Sequence, residues 1–415
     1  MKVKAKVLVI LGVALAVTAC SPAGAVSALP QLNVDKTKIS VSGLSAGAFM
    51  ANQLGYAYSS VFMGVGMFAG GPYMCAGHSN YTACMYNATI SSGMLSTMQA
   101  DINNWSGTAI DNKAKVANQK VYLFVGTSDS TVGPNPMNAV KAQYANNGVP
   151  AANIDYVQRS GTAHVFPTDF GGTGDNACSS TASPYISNCG FDGAKAALTK
   201  FYGALSPRND APAASNYIAF DQTPYANGNP GMAATGWIYV PANCASGAQC
   251  KLHLALHGCL QDEGHIGDKF IKNTGYTRWA DTNSMIVLFP QARTDNTAHA
   301  TAASGSVPNP NACWDWIGWY GSNFAQKAGT QAAALKAMVD RVSGGAGPVT
   351  PPPPPPPSGT CTTTNNYQHT VAGRAHVLWG YAYANGSNES MGLWSIFTTT
   401  SLQQTGSNYY KVGCE

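Results

Sequence analysis

The chain has 415 residues, a formal net charge of +4 and 10% charged side chains, against about 25% in an average soluble domain. No basic run occurs beyond the first six residues, which argues against a nucleic-acid partner. A weakly charged surface rich in Gly, Ser, Thr, Asn and Tyr suits contact with a neutral substrate instead.

Lys2, Lys4 and Lys6 followed by the apolar residues 7–19 have the make-up of a secretion signal, too short to span a bilayer comfortably. Residues 1–25 are therefore read as a signal peptide and the protein as secreted. Two processing sites compete: Ala23-Gly24-Ala25 resembles a signal-peptidase site, and Val17-Thr18-Ala19-Cys20 resembles a lipoprotein box that would lipidate Cys20. Simple secretion is preferred, because nothing else in the chain points to an anchor.

A strand-like run at residues 38–42 then leads into Gly43-Leu44-Ser45-Ala46-Gly47, the G-x-S-x-G pattern in which a sharp strand-to-helix turn exposes a nucleophilic serine. Such an elbow ordinarily follows strands that carry part of the oxyanion hole; here it comes almost directly after the signal. A serine hydroxyl is a weak nucleophile unless a histidine takes its proton and a carboxylate fixes the imidazole tautomer. Residues 120–126 (KVYLFVG) read as a buried strand, and the polar loop after it carries Asp129. Residues 154–157 read as the next strand, and the loop after it carries His164. The order Ser45, Asp129, His164 is that of α/β-hydrolases. Asp169 is the rival acid, while His78, His257 and His265 are rival bases; His78 lies in the short loop between Cys75 and Cys84, and His257 belongs to a strand.

That strand, residues 251–259 (KLHLALHGC), ends in His257-Gly258, the way an oxyanion loop begins, yet it follows the serine. Residues 285–290 are another apolar strand, and residues 328–342 place Leu335, Met338 and Val342 at helical spacing. Set in front of residue 34, this helix would supply the usual approach to the elbow strand. A circular permutation accounts for the arrangement, and it needs only that the original termini lay close together. The two backbone donors of an oxyanion hole would then be the amides of Ala46 and Cys259. Residues 313–320 (CWDWIGWY) are densely aromatic, and their tryptophans are expected to wall the cleft for an apolar acyl chain.

Besides Cys20, ten cysteines remain, an even number that reads as disulfides in an exported protein. Proximity suggests Cys75 with Cys84, Cys178 with Cys189 and Cys244 with Cys250. Isolation in the C-terminal segment suggests Cys361 with Cys414, which leaves Cys259 with Cys313. Zinc is the competing reading, but no C-x-x-C pair is present. The run Pro351 to Pro357 makes residues 344–360 an extended linker. Residues 361–415 form a small aromatic module in which Trp379 to Tyr383 has strand alternation and Asn385-Gly386 a hairpin-turn signal.

Gly-Leu-Ser45-Ala-Gly, Gly-Thr-Ser-Asp129, Gly-Thr-Ala-His164, Leu-His-Gly-Cys259 and Cys313-Trp-Asp-Trp316, in this order, resemble the secreted poly(3-hydroxybutyrate) depolymerases over nearly all of residues 30–343. The resemblance implies a serine esterase that cuts a polyester, with Ser45, Asp129 and His164 as triad and the Ala46 and Cys259 amides as oxyanion hole. It also implies Trp316 or Trp314 in a substrate subsite. The C-terminal module, with Ala372-Gly373-Arg374-Ala375, is similar to modules trailing other secreted bacterial depolymerases, where it is taken as substrate-binding. A proline run stands where some relatives carry a fibronectin-like spacer.

The expected fold is α/β: a circularly permuted α/β-hydrolase at residues 26–343, with a mostly parallel sheet and helices on both faces, plus a small β-rich module at 361–415. No cofactor, metal or protein partner is implied, and a monomer acting on an insoluble polyester is expected. A secreted carbohydrate esterase of feruloyl or acetyl type, with a carbohydrate-binding module, is the competing reading, since fold alone does not decide the substrate. A non-catalytic polymer-binding protein comes third, because binding alone requires no Ser, Asp and His on successive loops.

Overall fold

The computed structural model describes residues 26–172, 174–344, 361–406 and 409–414. The expected signal peptide, the Cys20 box and all but the first residue of the expected linker lie outside the described residues. The chain divides into two compact units, Met1–Gly345 and Ala346–Glu415.

Nine strands form the main sheet of the first unit: β1 (Ser27–Ala28), β2 (Val34–Leu44), β3 (Gly64–Phe68), β4 (Lys120–Gly126), β5 (Ile154–Arg159), β6 (Tyr217–Asp221), β7 (Thr235–Tyr239), β8 (Cys250–Leu256) and β9 (Met285–Phe289). Their order is β1-β6-β7-β9-β8-β2-β3-β4-β5. The run from β9 to β5 is parallel throughout, and only the β6–β7 and β7–β9 pairs are antiparallel. Strands buried on both faces read as nearly unbroken apolar runs, as β3, β8 and β9 do.

Side chains alternate across the sheet, and β3 shows what each face receives. Val65 meets helix α1 (Ala46–Ala57) at Gly55, where a Cβ would lie 2.8 Å from the valine side chain. Gly64 and Gly66 point the other way, and the ring of Phe201 from α2 (Gly193–Tyr202) lies on them; an added Cβ would sit 2.6 Å and 3.1 Å from that ring. Helices therefore pack on both faces.

On the α2 face lies one buried polar cluster. His253 of β8 meets Ser40 Oγ at 2.7 Å through Nδ1 and Ser42 Oγ at 2.9 Å through Nε2, and the serines in turn meet Tyr202 and Tyr276 at 2.6 Å. Burial lowers the His253 pKa to about 3, so the ring stays neutral and cross-links β8 to β2 with its polar atoms satisfied. Helix α3 (Thr330–Val342) buries Leu335, Met338 and Val342 as its spacing implied, starting two residues later than expected. Its last carbonyl, of Val342, accepts from Leu32 N at 2.8 Å, so the first and last described segments of this unit lie side by side.

The ten cysteines pair as the sequence suggested: 75–84, 178–189, 244–250, 259–313 and 361–414. The second unit has two three-stranded sheets over a core of Ala375, Ala382, Ala384, Met391, Leu402 and Tyr410. Its first hairpin differs from expectation. Leu378 pairs with Tyr381, so Trp379-Gly380 is itself the two-residue turn rather than part of a strand. Both residues have positive φ, 52° and 80°, as the common two-residue hairpin turn demands, while Asn385-Gly386 falls in the longer connection that follows.

Candidate active site

Ser45 stands between β2 and α1 with φ 56° and ψ −121°, a conformation that L-residues rarely adopt. Its N–H donates to Phe68 O at 2.9 Å, and its carbonyl accepts from the Ala48 and Phe49 amides at 2.8 and 3.0 Å. The two glycines of the motif are demanded by packing. A Cβ on Gly43 would lie 2.3 Å from Gly47 O, and one on Gly47 would lie 2.4 Å from both Leu256 O and His257 O. The end of β8 thus runs directly against the elbow, and only glycine lets it.

Asp129 and His164 are brought together by the ends of β4 and β5. Gly126 closes β4 where a Cβ would meet Thr162 O at 2.0 Å, and Ser128 N donates to that same carbonyl at 3.0 Å. Asp129 is 3% exposed; its Oδ1 accepts from the Thr131 and Val132 amides at 2.8 and 2.9 Å, and its Oδ2 meets His164 Nδ1 at 2.8 Å. Burial resists ionisation of Asp129. The adjacent His164 and the two amides outweigh it and hold the pKa below the usual carboxylate value. The rivals are engaged elsewhere: Asp169 with Arg208, His78 with Asp101, His265 with Asp262.

Ser45 and His164 line one cleft of about 400 Å³, together with Gly258 and Cys259. Its apolar lining includes Tyr81, Met85, Trp316, Ile317 and Trp319. Trp316 stacks on Phe49 of α1, with ring centroids 4.3 Å apart. The expectation for Trp314 is corrected: it is fully buried, does not reach the cleft, and packs 5.2 Å from the His257 ring. With Cys313 bridged to Cys259, the residue next to it turns into the core, and Trp319 lines the cleft beside Trp316. Ala46 occupies the first helical position of α1, where a backbone N–H has no intrahelical acceptor. Among the described residues no group of three His, Cys, Asp or Glu side chains could hold a metal ion.

No family model matches the chain. A polyhydroxybutyrate depolymerase from Talaromyces funiculosus is 52% identical over 323 residues, covering 77% of this chain and 94% of that one. A poly(3-hydroxybutyrate) depolymerase from Delftia acidovorans is 39% identical over 97% of both chains. The chain belongs to the polyhydroxybutyrate depolymerase family. In three dimensions it is similar to the crystal structure of the PHB depolymerase from Penicillium funiculosum, with a TM-score of 0.74 and 51% identity over 77% of this chain and 99% of that one. A serine-to-alanine PHB depolymerase complexed with an R3HB trimer matches equally well.

In this depolymerase-family chain, two residues near the cleft escaped sequence reasoning. Asp315 is buried beneath the tryptophan loop, where Oδ1 accepts from the Gly318 and Trp319 amides at 2.7 and 2.9 Å and Oδ2 from the Tyr320 amide at 2.9 Å. Burial pushes its pKa up to about 6 against the pull of those amides. An Asp three residues before a glycine in an aromatic loop was the available signal. Gln261 accepts from Gly258 N at 2.7 Å and donates to Pro184 O at 2.8 Å; nothing in the local pattern marked it.

Proposed function

We propose that this chain is an extracellular serine esterase that hydrolyses poly(3-hydroxybutyrate), or a similar polyhydroxyalkanoate, to hydroxyacid monomers and oligomers. The observation that carries the proposal is His164, hydrogen-bonded to buried Asp129 and lining a largely apolar cleft together with an elbow serine. Asp129 holds His164 with its proton on Nδ1, leaving Nε2 to take the proton of Ser45 as Oγ attacks the ester carbonyl. The Ala46 and Cys259 amides receive the charge that develops on the carbonyl oxygen. His164 returns the proton to the departing alkoxide, and water then releases the acyl group by the same route. Trp316 and Trp319 wall the acyl subsite.

The names of the relatives and the R3HB trimer bound by one structural neighbour support a polyester substrate. The carbohydrate-esterase reading has no comparable support. A circular permutation is supported by two features. Counted from β6, the strands place oxyanion strand β8 before elbow strand β2, the usual sequence of parts, and the Leu32–Val342 hydrogen bond puts the present ends of the domain together. Export is supported by the signal-like residues 1–25; among the described residues no helix is long and apolar enough to cross a membrane. The C-terminal module would adsorb to the polymer through its displayed Trp379 and Phe397, and a monomer suffices for all these roles.

The test is direct. The protein should clear a polyhydroxybutyrate suspension, and diethyl p-nitrophenyl phosphate should label Ser45 and abolish clearing. Release of ferulate or acetate from polysaccharide without polymer clearing would sink the proposal in favour of its rival.

A further inference from the structure

His257, at the end of β8, takes no part in proton transfer, yet both ring nitrogens are committed. Nδ1 lies 2.7 Å from Gly258 O, an atom that only accepts, so Nδ1 carries the proton. Nε2 lies 3.0 Å from the Ala292 amide, which only donates, so Nε2 carries the lone pair. The ring is thereby fixed as the neutral Nδ1–H tautomer. Its plane is held by Trp314 at 5.2 Å and by Phe270 edge-on at 6.1 Å, and its full burial lowers its pKa, in keeping with a neutral ring.

Gly258 O and Cys259 N–H belong to the same peptide unit, and in a trans peptide the two point in opposite directions. Among the described residues the only cis bond is Ser183–Pro184. Drawing the carbonyl toward His257 therefore turns the Cys259 N–H away from that ring. The cleft holds Gly258, Cys259 and Ser45 together, and a Cβ on Gly258 would come within 3.4 Å of Ser45 Cβ. A peptide that begins at glycine turns over at little steric cost. Turned over, this one would offer the cleft a carbonyl oxygen, an acceptor, where a developing oxyanion needs a donor.

We infer that His257 is a positioning residue for the oxyanion hole: its Nδ1–H holds the Gly258–Cys259 peptide in the orientation that aims the Cys259 amide at the reacting carbonyl. The inference rests on the Cys259 amide being the oxyanion donor named above. It also gives the buried Trp314 a role, as packing that keeps the imidazole in place. A histidine that served only to satisfy Ala292 N–H would have no effect on the cleft.

Two substitutions separate the ring nitrogens. His257→Asn keeps an N–H near the Nδ1 position and loses the Ala292 contact, while His257→Gln reaches toward Ala292 and leaves Gly258 O without its donor. On p-nitrophenyl butyrate, His257→Gln should lose kcat by about 10²-fold, the effect of removing one oxyanion donor. Its KM should change by less than about 3-fold, since the contact is made in the transition state, and His257→Asn should regain at least about tenfold of the loss. Melting temperatures report folding of each variant independently. Equal kcat for the two variants, a greater loss in His257→Asn, or a loss expressed only in KM would overturn the inference. Absence of organophosphate label at Ser45 in the wild type would instead overturn the underlying site reading, so the two failures are distinguishable.

Discussion

Tyr73, Phe166, Phe201 and Trp314 are all fully buried in the first unit, whereas in the second Trp379 is 91% and Phe397 88% exposed, with Leu393 and Ile396 also on the surface. Size explains part of the contrast, because a module of this length buries too little surface to hide its aromatics. It is held instead by the Cys361–Cys414 bridge and by polar cross-links such as Asn366 Nδ2 to Met391 O at 2.8 Å and to Leu393 O at 2.9 Å. Size does not explain Trp379, which sits in a turn at φ 52°, a region costly for a bulky residue. Trp379 is thus a strained aromatic that packs on little of its own fold: the first unit buries its largest rings in the core and sets Trp316 and Trp319 on the cleft, whereas the second leaves Trp379 and Phe397 facing outward.

The largest effect that would break this division is catalytic. His164→Ala and Asp129→Asn should each lower hydrolysis by on the order of 10⁴-fold on a soluble ester and on solid polymer alike, since triad members act as a unit. Co-sedimentation with polymer granules should be unchanged in both. Loss of adsorption in parallel with turnover would show that binding and chemistry are not separate.

A smaller and more selective effect is expected at the displayed rings. Trp379→Ser combined with Phe397→Ser should reduce adsorption and lower solid-polymer hydrolysis by about tenfold or more through lost effective concentration. Turnover of p-nitrophenyl butyrate should stay at the wild-type value. An equal loss on both substrates would make the module part of the catalytic fold.

Which of these features the sequence exposed follows from the range of the interactions that set them. Ser45, Asp129 and His164 each sit just after a segment with strand character, a local pattern that survives without tertiary knowledge. Close spacing identified three of the cysteine pairs. The inward turn of Trp314 and the facing of Trp319 were hidden, because they depend on Asp315 gathering three amides of its own loop. The partners of His257 were hidden for the same reason: Ala292 is distant in sequence and meets the ring only because β8 and β9 are neighbours in the sheet. The turn at Trp379-Gly380 was misread because tryptophan is a poor candidate for positive φ, and only the pairing of Leu378 with Tyr381 reveals it.

The smallest effect sharpens the comparison from inside the first unit, where a carboxylate as well as the rings is buried. Asp315 has its pKa raised by burial to about 6, above the roughly 3.9 of an unfolded aspartate. Between those values the folded protein holds a proton that the unfolded chain has released. The stability this group contributes is therefore complete below the unfolded pKa and is lost as pH rises through about 6. Asp315→Asn cannot titrate, and its loss of one acceptor for the loop amides is an offset independent of pH. From pH 4 to pH 7 the wild type should lose stability relative to Asp315→Asn, by less than about 1 M in urea midpoint for a domain of this size. Parallel midpoints across that interval would mean that the three amide donors, rather than burial, set the charge of Asp315, and that the tryptophan loop rests on an ionised carboxylate at every working pH.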